Sequence, residues 1–247
     1  MAIHSAFRRV PRQVCAALVI VALTCGGLRA ERHTEERGPA NPATEHIHEE
    51  VRRILHGLQE TVYQHKTDIN EEEGVYRCDC SGLGIYILNQ TVAKDDPRGP
   101  LGDGKARPRA MHFYEAFAAA KTQATQRVPG GRWQRVERVV DARPGDIIAW
   151  RRDKVVPGNS GHVVIVDEQP VAEEDGLVRV VMIDSTTRQL VNDTRGKGES
   201  GVGRGTMWFK VDGEGRPVAY VRGARTAEAV TVRISIGRAL TARAGRK

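Results

Sequence analysis

From about Thr44 to Lys66 the apolar residues Ile47, Val51, Ile54, Leu55, Leu58 and Val62 recur every three or four positions. That spacing predicts an amphipathic helix with His46, His48, Glu49, Arg52, Arg53 and Glu60 off its stripe. Glu71 to Gly74 breaks the pattern. A second helix is predicted from Cys80 to about Gln90, with Asp79 as its N-cap and Leu83, Ile87 and Leu88 turned inward. Gly82 and Gly84 cost an isolated helix stability, so their presence predicts close packing against a neighbouring element. Lys94 to Pro108 reads as a surface loop, and Ala110 to Gln126 as a third helix with Met111, Tyr114, Phe117 and Ala118 inside.

Beyond Gly130-Gly131 the pattern changes. Trp133–Val140, Asp146–Trp150, His162–Asp167, Leu177–Ile183, Thr206–Val211 and Val218–Val221 are short runs of strand propensity separated by turn signals. Asp212-Gly213-Glu214-Gly215 predicts a hairpin between the last two. Val230 to Ile236 adds an edge strand, and Arg238 to Lys247 a basic tail. Helices first and strands second predict an α+β fold, with the N-terminal helices packed on an antiparallel sheet.

The chain's start changes the reading of its charge. A basic segment, Phe7 to Arg12, precedes the apolar run Val14 to Thr24, and Leu28-Arg29-Ala30 offers a small residue for cleavage. Residues 1–30 are therefore read as a signal peptide, too short in its apolar part for a comfortable membrane span. A short anchor, or lipid attachment at Cys25, are the other readings of this stretch. Residues 31–43 read as a flexible leader, 44–223 as the folded domain and 224–247 as an edge strand and tail. The whole chain has a formal charge of +7; without Arg8, Arg9, Arg12 and Arg29, 34 basic side chains face 31 acidic ones. So mild and dispersed an excess argues against nucleic acid. Of the four cysteines only Cys78 and Cys80 lie beyond the signal, and a disulfide between them would close a strained ring. The protein is expected to be exported, periplasmic or extracellular, to carry two thiols there, and to have no stable membrane span after cleavage.

The candidate chemistry centres on Asp79-Cys80-Ser81-Gly82. A cysteine in the first turn of a helix has its thiolate favoured by unpaired backbone N–H groups and the macrodipole. Cys78 competes for the role but lies before the helix. His162 opens the run Val163-Val164-Ile165-Val166 behind Gly161 and is the candidate base. Asp184 closes the next long strand and is the candidate orienter of the imidazole, with Ser185 and Asn192 as substitutes. In Pro144-Gly145-Asp146 the aspartate reads as structural, and Trp150 as either a wall of the cleft or core. Tyr76, four residues before Cys80, is a candidate to line the pocket. The other histidines, His46, His48, His56, His65 and His112, are read as solvated.

Asp79-Cys80-Ser81-Gly82-Leu83, Pro144-Gly145-Asp146-Ile147-Ile148 and Gly161-His162-Val163-Val164-Ile165, in this order, resemble the NlpC-type family of bacterial cell-wall cysteine peptidases. That family belongs to the papain-like superfamily, with the CHAP amidases. The resemblance spans roughly residues 50 to 221. It implies a papain-like fold, a catalytic set of Cys80, His162 and Asp184, and binding of a stem-peptide amine by Asp79, Ser81 and Tyr76. The implied activity is hydrolysis of amide bonds in peptidoglycan stem peptides, without metal or cofactor. An amidase, acyltransferase or transglutaminase-like enzyme on the same scaffold is the alternative within the class. Outside it stand a non-catalytic wall-binding protein and a zinc-binding module using Cys78, Cys80 and His162.

Overall fold

The computed structural model describes residues 37–94, 96–122, 132–156 and 159–240, with 154–156 described by backbone alone. The expected signal, the leader up to residue 36, the expected helix end at 123–126 and the tail from 241 lie outside the described residues.

Helix α1 (Pro42–Gly57) starts at a reciprocal cap: Asn41 accepts from the N–H groups of Ala43 and Thr44, and the Thr44 hydroxyl accepts from the N–H of Asn41. Ala43 and Thr44, in its first turn, are buried. At its other end α1 is shorter than the expected 44–66. The N–H groups of Gln59 and Glu60 both donate to the Gly74 carbonyl, which diverts the chain into β1 (Glu60–Val62). Strand β1 runs parallel to β3 (Val75–Arg77), and β2 (Asp68–Asn70) lies antiparallel on the other side of β3. The helical spacing of Leu58 and Val62 concealed this small mixed sheet.

Helix α2 spans Cys80–Gln90, as the pattern predicts. Its glycines mark close approaches: a Cβ on Gly84 would lie 3.1 Å from the Phe113 ring, and one on Gly82 2.6 Å from the Thr67 hydroxyl. Helix α3 (Ala110–Ala119) stops short of the expected residue 126. Past it the Lys121 carbonyl accepts the Arg135 N–H, so the chain runs beside the following strand instead of continuing the helix.

The large sheet contains β4 (Trp133–Val136), β5 (Ile147–Val156), β6 (Asn159–Val166), β7 (Val171–Ala172), β8 (Leu177–Thr186), β9 (Gly201–Val211), β10 (Pro217–Val221), β11 (Val230–Thr231) and β12 (Arg233–Ala239). Its order is β11-β10-β9-β8-β6-β5-β12-β4, with β7 attached to β8, and every pairing is antiparallel. Val232 alone separates β11, bonded to β10, from β12, bonded to β5. One continuous segment thus pairs with β10 at its start and with β5 further on, and curls the strands between them into a barrel. The edge strand expected over 230–236 is in fact this closing segment, with β12 bonded on both sides.

Barrel curvature explains why the strands read as unbroken apolar runs. Ile148, Trp150, Val164, Val166 and Met182 face the interior, while Ile147, Ala149, Val163, Ile165 and Ile183 face outward against the helices. Successive side chains point to opposite faces, and both faces are covered. The result is an α+β domain with helices packed on an antiparallel sheet. Among the described residues, no helix is long and apolar enough to cross a membrane.

In β12, a Cβ on Gly237 would fall 2.3–2.5 Å from atoms of the Phe117 ring. Gly237→Ala is expected to cost about 1–3 kcal/mol through overpacking, seen as a lower midpoint of urea unfolding. Gly213→Ala, where a Cβ would meet nothing within 4 Å, serves as the control and should leave that midpoint in place.

Candidate active site

The small sheet leads the chain to the nucleophile candidate. The N–H of Cys78 donates to the Val62 carbonyl at 3.1 Å, and the Ser185 hydroxyl donates to the Cys78 carbonyl at 2.6 Å. Pinned between β1 and β8, the backbone turns at Asp79, whose Oδ1 accepts from the Gly82 N–H at 2.7 Å and the Ser81 hydroxyl at 2.9 Å. Cys80 is the first residue of α2, where unpaired N–H groups and the positive end of the dipole favour an anion.

Both cysteines are free thiols. Cys78 is fully buried, and that burial pushes its thiol up to about 12; the neighbouring Asp79 charge adds to the effect and a hydrogen bond from Ser185 opposes it. It is a neutral thiol at physiological pH. Cys80 retains 6% exposure and shares a side-chain hydrogen bond with His162.

His162 is set by its strand. Gly161 has φ 144°, and a Cβ there would meet the Trp150 carbonyl oxygen at 1.8 Å, so only glycine allows β6 this approach to β5. Trp150 pairs directly with His162 across the two strands, its ring centroid 5.0 Å from the imidazole. Asp184 lies on the neighbouring strand β8, antiparallel to β6, and the Ile165–Ile183 register sets it diagonal to His162 on the same face. Its Oδ2 stands 2.6 Å from His162 Nε2, which leaves Nδ1 for the sulfur.

The second oxygen of Asp184 has its own partner. Arg195 Nη1 donates to Asp184 Oδ1 at 3.1 Å and to the Gly201 carbonyl at 2.8 Å, while its Nε and Nη2 grip Asp193, each at 2.8 Å. Burial works against a charged imidazole at 162. The charge on the Cys80 sulfur, with hydrogen bonds to Asp184 and Cys80, outweighs it and raises His162 to about 9.

Of the other expected residues, Asp79 and Ser81 flank Cys80 and bond to each other. Trp150 is 2% exposed and packs against Phe209 and Tyr220 inside the barrel, so it backs the imidazole and does not wall a cleft. Tyr76 is 1% exposed, packs edge-on to Tyr86 and hydrogen-bonds Arg53; it is a core residue without access to a ligand. The tyrosine at the site is Tyr63, half-buried, its phenol held above the usual range by burial and by the negative charges of Cys80, Asp79 and Asp184. His65 Nδ1 lies 3.2 Å from Asp79 Oδ2, so this histidine is not simply solvated. Ser185, considered as a substitute orienter, is occupied with Cys78. Asp146 is structural, as expected: it is buried beneath Arg238 at 2.7 Å.

Sequence reasoning missed Tyr63, His65 and Arg195. The first two follow from β1 pairing onward to Cys78, a register hidden inside an apparent helix. Among the described residues, no group of three or more His, Cys, Asp or Glu side chains is arranged to hold a metal ion. No protein-family model, no curated protein and no solved structure matches this chain.

An NMR titration of the His162 ring should show a midpoint near 9, above the ordinary 6.5. Cys80→Ala removes the sulfur that favours the charged ring and keeps the burial, so the midpoint should move down toward or below 6.5. Because the folded value lies above the unfolded one, this group's contribution to stability is complete below pH 6.5 and fades as the pH rises through about 9. An unchanged midpoint in Cys80→Ala would show that the sulfur does not hold the proton there.

Proposed function

We propose that this domain is an exported cysteine hydrolase of papain-like fold that cleaves amide bonds in peptidoglycan stem peptides. The observation carrying the reading is the side-chain chain Cys80–His162–Asp184, on a helix start and two adjacent antiparallel strands. Its support for the peptidoglycan substrate is the resemblance of the three motifs to the NlpC-type family.

In the proposed reaction the Cys80 thiolate, paired with imidazolium at His162, attacks the amide carbonyl carbon and forms a C–S bond. The oxyanion is stabilised by the Cys80 N–H at the positive end of α2. Collapse breaks the C–N bond, and His162 gives its proton to the departing amine. Water then attacks the thioester, His162 takes the water proton, and the acid product leaves with the thiolate restored. Asp184 keeps Nε2 of His162 engaged, so Nδ1 serves the sulfur and then the leaving group. In this reading Tyr63 takes the role first assigned to Tyr76, and with Asp79, Ser81 and His65 forms the surface that receives the stem-peptide amine.

Acyl transfer on the same scaffold would use the same thioester and differ only in the acceptor. The zinc-binding alternative is poorly served, since Cys78 is a buried, neutral thiol already engaged by Ser185.

Incubation with defined muropeptides, read by mass spectrometry, should give products gaining one water per bond cut. Cys80→Ala should reduce turnover to background while keeping the fold; Cys78→Ala should remain active. For the wild-type protein, kcat/KM should fall as the pH passes about 9, where His162 loses the proton it must donate. Full turnover by Cys80→Ala would falsify the assignment, and products joined to an added amine would establish acyl transfer.

A further inference from the structure

We propose that Arg195 is a positioning residue of this site: it holds the Asp184 carboxylate in the one orientation that directs Oδ2 at His162. The inference rests on the hydrolase reading above and extends it to a residue outside the three motifs.

Each oxygen of Asp184 has a separate partner, Oδ2 with His162 and Oδ1 with Arg195. Rotation of the carboxylate would break both contacts together. Arg195 is itself immobilised, because its fork engages both oxygens of Asp193 and its Nη1 also donates to the Gly201 carbonyl. Its side chain is 2% exposed and that of Asp184 0%. The charged groups around the carboxylate are His162 from β6, Arg195 from the loop after β8, and Cys80 beyond the imidazole; Tyr63 faces it from the stretch after β1.

The backbone has been shaped for this guanidinium. Gly203 on β9 lies directly opposite Asp184, and a Cβ there would come within 2.6–2.9 Å of three Arg195 side-chain atoms. Two residues along, a Cβ on Gly205 would meet Leu190 at 2.6 Å. Alternate glycines therefore open one face of β9, and the 187–200 loop fills it with Leu190 and Arg195. A buried ion pair is weak support for stability, since desolvation offsets much of the attraction. Fixing the direction of a carboxylate that contacts an imidazole is a better account of so enclosed a cation.

The test is the rate at which Cys80 is alkylated by iodoacetamide at pH 6, located by tandem mass spectrometry. An ordinary thiol is almost unreactive at that pH, so rapid labelling reports the ion pair with His162. Arg195→Gln should slow labelling about tenfold, the worth of one charge-assisted hydrogen bond, with the muropeptide loss falling on kcat more than on KM. Asp184→Asn should slow it likewise, and Arg195→Gln should add nothing in the Asp184→Asn background, because Arg195 acts through that carboxylate. Arg195→Lys keeps the charge the buried carboxylates need and so guards against unfolding. A single ammonium cannot serve two carboxylates and a carbonyl in the same geometry, so severalfold slower labelling is expected. Wild-type rates in either folded Arg195 variant, or multiplying effects in the double variant, would overturn the role of Arg195 alone. A wild-type protein that fails to label at pH 6 would overturn the hydrolase reading and this inference with it.

Discussion

Asp184 carries its carboxylate with no side-chain exposure. An ionised group withdrawn from water stands only where other groups replace its hydration on both oxygens. That constraint organises a large part of the domain. It calls for an imidazole on the neighbouring strand, a guanidinium arriving from a loop, a second carboxylate to orient that guanidinium, and a glycine on the strand opposite to leave it room. His162, Arg195, Asp193 and Gly203 meet these needs in turn.

The barrel backs the arrangement. The segment 230–239 joins β10 to β5, and the interior residues of β5, β6, β8 and β9 form a packed core with Trp150 against the imidazole. The helices cover the outside, where α2 lies against β6 and β8. The cysteine thus comes from the helical layer and the imidazole and carboxylate from the sheet. Their meeting depends on how closely these layers approach; Gly84 of α2 lies against the Phe113 ring of α3 and beside Val163 of β6. Asp79 joins local and tertiary structure: one oxygen caps α2 and the other faces His65, so the charge beside Cys80 is spent on backbone and imidazole.

The two thiols show how position decides chemistry for identical side chains. Cys78 and Cys80 are separated by one residue. The first is enclosed between β1 and β8, where burial keeps it protonated, and the second begins a helix beside a cationic ring. Tyr76 and Tyr63 differ in the same way. The tyrosine nearer in sequence is in the core, and the more distant one reaches the site because β1 continues alongside the residues that precede α2.

Sequence by itself determined the elements whose information is local. Asp79 caps the helix that follows it, the apolar runs around His162 and Asp184 are strands, and so Cys80 is placed on a helix start and the other two side chains on strands. Only the tertiary structure decided what depends on pairing between distant segments. The start of β9 was hidden because Gly201, Gly203 and Gly205 have no strand propensity; their use is the space they leave for Leu190 and Arg195. The helical spacing through Val62 gave no sign of β1, since the N–H groups of Gln59 and Glu60 that follow α1 donate to the carbonyl of Gly74, well along the chain. The strand at 230–236 was readable as a strand but not as the closure of the barrel. Propensity and periodicity are properties of a stretch of chain, whereas burial, register and the partners of a charge are set by whatever the fold brings against it.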